Sequence, residues 1–345
     1  MKAWQLAAPG PVEKTMKLRD DVPRPDPQKL GEQEVLVQVA AASLNPSDHK
    51  LPGMGILARA VLHFPITVGM DFSGKVTTVG SRVADVRVGD WVVGRVDPRV
   101  KSPGTLREYI TVDRADVAVL PADSAIDPVH AAGLGTAALT AYQTIAPYVR
   151  EGQGDRVFIN GGSGGVGTLG IQVAKQLGCH VTVTCSTAKA ELCRELGADD
   201  IIDYKTISGN LSDELRKKAA GRAPFRLIVD NVGNTLWDLY FSSDDYLAEG
   251  GPYVYVGSKP SLDSLRAVLV AKLLPRWLGG ARAPFVAYLT ENKQHDLEVL
   301  TRWAAEGRMK LIVDKVFEFE EAKTAMEYVK KGSSSGKNIV KVQEL

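Results

Sequence analysis

The stretch "RVFINGGSGGVGTLGIQVAK", Arg156 to Lys175, limits the possible folds more than any other part of the chain. "RVFI" is a short apolar run with the look of a buried strand. Val166, Leu169, Val173, Ala174 and Leu177 then follow at helical spacing. Between the two, Gly162, Gly164 and Gly167 spell G-x-G-x-x-G. That pattern is weak alone, but between a strand and a helix it marks a dinucleotide-binding loop. The first glycine permits a tight turn, the second lets a pyrophosphate approach the backbone, and the third lets helix and strand pack closely. The helix start offers N–H groups and a positive dipole end to phosphate. The competing reading is a glycine-rich turn that binds nothing.

The sequence around this loop alternates strand and helix. "HVTVT" reads as the next strand and "TAKAELCRELG" as the next helix, with Gly197 at a plausible C′ position. "DDIIDY", "RLIVDNVG" and "PYVYVGS" read as three more strands. Such alternation predicts a parallel sheet covered on both faces. The first third of the chain differs. "EVLVQVAAASL", "GMDFSGKVTTVGS", "GDWVVGRV", "EYITV" and "VAVLP" are short strands punctuated by glycine and proline, the pattern of a small barrel-like or sandwich domain. "SAIDPVHAAGLGTAALTAYQTIAPYV" reads as helical, and after about residue 289 two amphipathic helices and a strand, "NIVKV", return to the first domain. The expected fold class is α/β: a β-rich domain over 1–125 and 290–345, with a nucleotide-binding domain over 126–289 inserted in it.

An NAD site places a carboxylate about 20 residues after the glycine loop, on the ribose 2′-hydroxyl. Here that place holds Thr184-Cys185-Ser186-Thr187-Ala188-Lys189. With no carboxylate in that run to repel a 2′-phosphate, Ser186 as a donor and Lys189 as a point charge favour NADPH. The alternative for Lys189 is a solvated helix face.

"SLNPSDHKLPGMG", Ser43 to Gly55, crowds Asn45, Ser47, Asp48, His49 and Lys50 around one proline. It is open to three readings: metal ligation, acid–base chemistry or a turn. Zinc needs three or four converging Cys, His or carboxylate ligands. Cys179, Cys185 and Cys193 are spaced by six and eight residues, and the five histidines form no H-x₃-H pair. The cysteines read as small apolar residues of the nucleotide-binding domain in a reducing compartment. A net charge of +1 gives no electrostatic reason to expect nucleic acid or an anionic membrane. No apolar run reaches membrane-spanning length, and the start lacks signal- or transit-peptide character, so the expected location is cytoplasmic, with organelle import by other routes left open.

The order of domains, "NGGSGGVGTLGIQVAKQLG", "LGADDIIDYK", "SLNP-D-K", "GxDFSG" and "VGD-V" together resemble the medium-chain dehydrogenase/reductase superfamily over nearly the whole chain. The resemblance is to its zinc-free quinone-oxidoreductase-like branch, which includes alkenal/enone reductases and fungal trans-acting enoyl reductases. It implies a GroES-like catalytic domain with an inserted Rossmann domain. Zinc-dependent relatives carry a Cys in the loop matching Leu44–Asp48, a His-Glu pair where this chain has Met70-Asp71, and four Cys in a lobe matching "RVDPRVKSPGTLREY"; none is present here. The resemblance implies cofactor contacts from Ser47, from Ser163, Gly165 and Val166 alongside the three motif glycines, and from Tyr204 beside Lys189. It implies further contacts from Asn231, Val232, Val256, Gly257, Lys337 and Asn338. The alternative readings are a packing residue for Tyr204 and a strand-end cap for Asn231.

Without a Lewis acid, hydride transfer is easier to a conjugated acceptor than to an isolated ketone, because hydrogen-bond donors can stabilise charge on an enone or quinone oxygen. The candidate catalytic residues are Asn45 and Lys50, and the resemblance adds Thr136, matching it to a threonine near the nicotinamide and substrate. Many members of the resembled family carry a Tyr in the first loop; residues 43–55 hold none. The proton donor is therefore left among His49, Thr136 and solvent. "RAVLVAKLLPRWLGGAR" is apolar with basic edges. It fits either a lining for a hydrophobic substrate or helix core and oligomer contact, and the resemblance implies a possible homodimer. Three functional readings stand: an NADPH-dependent reductase of activated C=C or quinone substrates without metal; a trans-acting enoyl reductase serving a carrier protein of a polyketide synthase; and a non-catalytic NADPH-binding, crystallin-like or regulatory protein.

Overall fold

The structure is a computed structural model and describes residues 1–98, 104–257 and 262–345. Parts of two stretches read from the sequence, 99–103 of the cysteine-free lobe and 258–261 after "PYVYVG", lie outside the described residues. The chain begins with β1 (Ala3–Leu6) and β2 (Met16–Arg19), which pair antiparallel; β3 (Glu34–Leu44) and β4 (Ile66–Thr67) follow, and β4 completes a small sheet on β1. β5 (Asp71–Val79), β6 (Trp91–Arg95), β7 (Tyr109–Asp113) and β8 (Val117–Leu120) come next. The eleven-residue β3 is long enough to serve two partners: Glu34–Gln38 pair with β7, and Val35 to Ser43 pair with β5.

The next six strands are β9 (Arg156–Asn160), β10 (His180–Cys185), β11 (Asp200–Asp203), β12 (Leu227–Asp230), β13 (Tyr253–Tyr255) and β14 (Phe285–Ala287). They form one parallel sheet in the order β11-β10-β9-β12-β13-β14. This is the doubly wound order in which strand order reverses at β9, and ligands bind outside the carboxyl ends of the strands at that switch point. β9 and β12 are buried along their whole length, as strands covered on both faces must be.

β15 (Val313–Glu318) and β16 (Lys337–Lys341) complete the first sheet, whose order is β15-β16-β3-β5-β6-β8 with β7 on the other half of β3. β16 pairs antiparallel with β3, setting Asn338 opposite Leu44. The chain thus forms two compact units: Met1–Leu139 with Glu291–Leu345, and Thr140–Thr290. The first unit takes in residues 126–139, which the sequence pattern had placed with the inserted domain. Packing explains this: Ala132 sits in a small apolar cluster with Ala41 and Ile339, and the Thr136 N–H donates to Asp71. Among the described residues no helix is long and apolar enough to cross a membrane.

Candidate functional site

In the first unit, β3 ends at Leu44 and the chain enters the short helix Pro46–Lys50. Pro46 suits the first helical position, where no N–H is required. Asp48 accepts the Asn45 backbone N–H at 2.6 Å and so fixes the entry to the helix. Strand register brings Asp71 opposite Ser43 on one side and Arg95 on the other. β16 adds Lys337 beside Leu44.

These registers assemble a buried polar cluster centred on Asp71. Its Oδ2 accepts from Asn45 Nδ2 at 2.8 Å and lies 3.5 Å from Lys337 Nζ. Its Oδ1 accepts both the Thr136 N–H, at 2.7 Å, and the Thr136 hydroxyl, at 2.6 Å. Lys337 Nζ also donates to Asn45 Oδ1 at 2.5 Å and to the Leu44 carbonyl at 3.2 Å. The Asn45 amide is therefore held at both ends, and the contacts assign its orientation: oxygen to the ammonium, nitrogen to the carboxylate. One Nδ2 hydrogen is left over as a donor. Arg95 Nε donates to Thr136 Oγ1 at 3.1 Å, and Asn292 joins Arg95 to Asp116.

The electrostatics follow from burial. Burial pushes the Asp48 carboxyl up to about 7; the Asn45 N–H opposes the rise and the Asp71 charge adds to it. Burial lowers Lys337 below the usual lysine range, while Asp71 and Asp48 pull it back. His49 is pushed down to about 4, first by burial and then by the Lys50 and Lys330 cations, so its imidazole is neutral near pH 7. Thr136 spends its single hydroxyl hydrogen on Asp71. Neither side chain is thus set up to deliver a proton. A cavity of about 30 Å³ beside Asp48, lined by Ser47, Leu51, Leu62, Met70 and Val96, has room for one water-sized group. Lys50 closes the short helix and is half-buried.

In the second unit, the glycine loop joins β9 to the helix Gly165–Gln176, with Gly164 as N-cap. Gly161 turns the chain with φ +86°. A Cβ on Gly162 would lie 2.7 Å from the Val183 side chain, and one on Gly167 would lie 2.1 Å from the Gly161 carbonyl. These two glycines are required by packing. A Cβ on Gly164 would meet only the Gly161 oxygen, at 3.8 Å. That position is open, and packing does not explain its glycine; room for a pyrophosphate to approach the backbone would. Ser163, Gly165 and Val166 are half-buried around it.

Beneath the loop lies a second buried network. The Gly161 N–H donates to Thr184 Oγ1 at 2.8 Å, and that hydroxyl donates to Asn160 Oδ1 at 2.6 Å. Asn160 Nδ2 donates to Asp230 Oδ1, which also accepts the Val232 and Gly233 N–H groups. The carboxyl ends of β9, β10 and β12 are thereby tied together. Beside them, both polar atoms of the Asn231 side chain are buried with no hydrogen-bond partner. A buried amide left unmade costs free energy unless a ligand completes it. The open Gly164 and the orphaned Asn231 fit a dinucleotide at this switch point.

The other cofactor candidates fall as follows. Ser186 is half-buried at the end of β10; Lys189 ends the turn that follows, and Tyr204 is exposed after β11. The structure adds Asp203, which accepts from the Thr187 hydroxyl and from the Lys205 N–H. This carboxylate reaches the same turn from the neighbouring strand, so it is invisible in the run 184–189. Val256 donates to the Asp230 carbonyl, and Gly257 follows with φ +154°. Lys337 and Asn338 are buried in the first unit: Lys337 lies on Asn45, Leu44 and Asp71, while Asn338 Nδ2 bonds Ser334 and its Oδ1 has no partner. Ser47 Oγ lies 3.9 Å from the Met70 sulfur. Among the described residues no three His, Cys, Asp or Glu side chains converge as a metal-holding group.

Two family profiles match the chain: the alcohol dehydrogenase GroES-like domain over residues 31–122 and the zinc-binding dehydrogenase over 196–340. The chain is 40% identical over 354 residues to a trans-enoyl reductase of Aspergillus terreus, covering 100% of this chain and 97% of that protein. Among solved structures it resembles the quinone oxidoreductase of Coxiella burnetii, with 32% identity, a TM-score of 0.81 and 99% of each chain covered. It shares the fold of the Escherichia coli quinone oxidoreductase solved in complex with NADPH, with 20% identity, a TM-score of 0.78 and 99% of each chain covered.

Proposed function

We propose, from the premise that the chain belongs to the medium-chain dehydrogenase/reductase superfamily, that it is an NADPH-dependent reductase of activated C=C bonds, acting without a metal. The observation that carries this reading is the Asn45 amide fixed between Asp71 and Lys337 at the end of β3. A fixed neutral donor, rather than a metal ligand, stands in the loop that would face a substrate carbonyl.

The glycine loop and Asn231 would hold the dinucleotide, with Ser186, Lys189 and Tyr204 toward its 2′-phosphate and Val256 and Gly257 toward its nicotinamide. Bound NADPH supplies the hydride. The remaining Asn45 N–H donates to the substrate carbonyl oxygen and stabilises charge as it develops there, the role of a preorganised oxyanion donor. Asp71 keeps that N–H aimed and holds the Thr136 hydroxyl in place. Lys337 offsets the carboxylate charge, so Asn45 works beside a compensated pair. His49 is neutral and Thr136 is committed to Asp71, so the proton that follows comes from solvent. The similarity to a trans-enoyl reductase favours an enoyl thioester as the conjugated substrate, presented by a carrier protein of a synthase. A second reading, quinone reduction, is favoured by the likeness to the Coxiella burnetii enzyme.

The test is NADPH oxidation by purified protein against enals, enones, quinones and pantetheine-linked enoyl groups, with 4-deuterated NADPH. Deuterium at the β-carbon is the expected outcome. Tight NADPH binding without turnover of any of these would identify a binding protein instead. Turnover abolished by a chelator would overturn the metal-free claim.

A further inference from the structure

The helix Leu262–Leu273 and the turn Arg276–Leu278 present an apolar surface that no described residue covers. Leu265 is 57% exposed, Leu269 49%, Leu273 74%, Trp277 81% and Leu278 57%. The three helix leucines recur every fourth residue and so share one face. The opposite face carries Ala267 and Ala271, both buried, and the Tyr240 hydroxyl lies 3.4 Å from the Ala271 carbonyl and 3.1 Å from the Ala283 carbonyl, within reach to donate its one hydrogen to either, seating the helix on its unit. The turn is rigid as well. Leu278, Gly279 and Gly280 N–H groups bond back to Pro275 and Arg276, and Gly279 adopts φ +95°, which fixes Trp277 outward. Large rigid apolar groups rimmed by polar residues mark interaction sites, and Trp and Arg dominate binding energy at such sites.

The exposed charges that this helix and turn carry beside the leucines are cationic. Lys272 emerges beside Leu265, seven residues on, and Arg266 and Arg276 flank the leucines; all three are exposed. Arg276 donates to the Arg282 carbonyl, and Arg282 is paired with Asp244 at 3.6 Å. Asp263 is the carboxylate of the helix, and it projects about 160° away from Leu265 at 100° per residue. A two-fold contact through this face would bring two cationic rims together with no carboxylate from the leucine side of the helix to offset them. A membrane is disfavoured too: the net charge is +1, and the helix lacks the strongly polar second face of an interfacial helix.

We propose that this surface docks an acidic carrier domain, the class of protein that holds an enoyl chain as a thioester. Trp277 and the leucines form the apolar anchor, and Arg266, Lys272 and Arg276 receive the partner's carboxylates. The proposal rests on the enoyl-thioester reading above and locates its partner on the molecule.

The test uses one substrate in two forms: a crotonyl group on a fungal synthase carrier domain, and the same group on free pantetheine. Binding of the fluorescently labelled carrier domain is followed by anisotropy in parallel. Trp277→Glu and Arg276→Glu are compared with wild type, with folding checked by thermal melting. The expected result is a KM at least ~10-fold higher for the carrier-borne substrate in the variants, with kinetics on the pantetheine form within ~2-fold of wild type. Equal carrier affinity in wild type and variants overturns the docking proposal, as does carrier-borne substrate that is no better than pantetheine. A wild-type dimer that the variants dissociate, or flotation of wild type alone with phosphatidylcholine–phosphatidylglycerol vesicles, overturns it in favour of a second copy or a lipid surface. Carrier binding lost in the variants, with neither substrate turned over by wild type, sinks the reductase reading and leaves the docking surface standing.

Discussion

The Lys337 ammonium and the Asp71 carboxylate are both buried and stand 3.5 Å apart, with the Asn45 amide bonded to each. Each charge lost its hydration on folding and is compensated chiefly by the other. Removing one partner of such a pair costs about 3–5 kcal/mol, because it strands the other charge. Lys337→Met should therefore destabilise the protein by that amount in urea unfolding. Adding Asp71→Asn should recover part of the loss. Strictly additive single-variant effects would show that the two are not coupled.

Asn45 keeps one N–H for a substrate oxygen. Asn45→Ala should lower kcat on an enone about 100-fold, the scale of losing one oxyanion donor. Assays belong well below the melting temperature, since the change also takes a partner from Lys337. A kcat equal to wild type would remove Asn45 from the chemistry.

Two glycines of one loop should respond differently to the same substitution. Gly164→Ala adds a methyl group whose nearest contact is 3.8 Å away, so thermal stability should hold while NADPH affinity falls at least ~10-fold as the pyrophosphate is pushed off. Gly167→Ala places its methyl 2.1 Å from the Gly161 carbonyl, so stability and affinity should fall together. Isothermal titration and melting curves separate the two. Unchanged NADPH affinity in Gly164→Ala would move the pyrophosphate elsewhere.

Lys189→Glu should weaken NADPH much more than NADH, by about 10-fold or more, because it sets a carboxylate against the 2′-phosphate. Asp203, already at this turn, is occupied by Thr187 and the Lys205 N–H. Equal losses for both cofactors would take Lys189 out of the 2′-phosphate site.

Asp48 makes stability depend on pH. Its carboxyl titrates at about 7 when folded and near the ordinary aspartate value of 3.8 when unfolded. Between those values the folded chain holds a proton that the unfolded chain has released. The contribution of Asp48 to stability is therefore greatest below about pH 4, falls as pH rises to about 7, and is level above that. Asp48→Asn keeps an acceptor for the Asn45 N–H but cannot ionise. Urea melts from pH 5 to 8 should show a downward slope in wild type that is shallower in the variant. Parallel slopes would place the titration on another group.

The glycine loop was legible in the sequence because its signal is local: strand, glycines and helix are contiguous, and β9 and the helix Gly165–Gln176 lie where the pattern sets them. β3, β5 and β6 were readable from their alternation and flanking glycines. β15 was not, because its side chains are mostly half-buried or exposed and show no apolar period. β14, at three residues, is too short to carry one. Asp71 was visible only as a residue standing where zinc-dependent relatives carry another. Its place at the centre of a cluster depends on the registers Ser43 with Asp71, Asp71 with Arg95 and Asn338 with Leu44. Those pairings join residues far apart in the chain, and no window of sequence holds them. The burial that sets His49 near 4 and Asp48 near 7 is equally non-local.

Asn45 and Lys337 are 292 residues apart in sequence and 2.5 Å apart in space. A ribosome makes the first long before the second. During synthesis, Asp71 emerges without the Lys337 counter-charge, and Asn45 without its ammonium partner, until the segment Lys337–Lys341 is released and β16 docks on β3. The arrangement therefore works as a completeness check: a chain interrupted before Lys337 lacks the ammonium that holds Asn45 and cannot assemble the donor site.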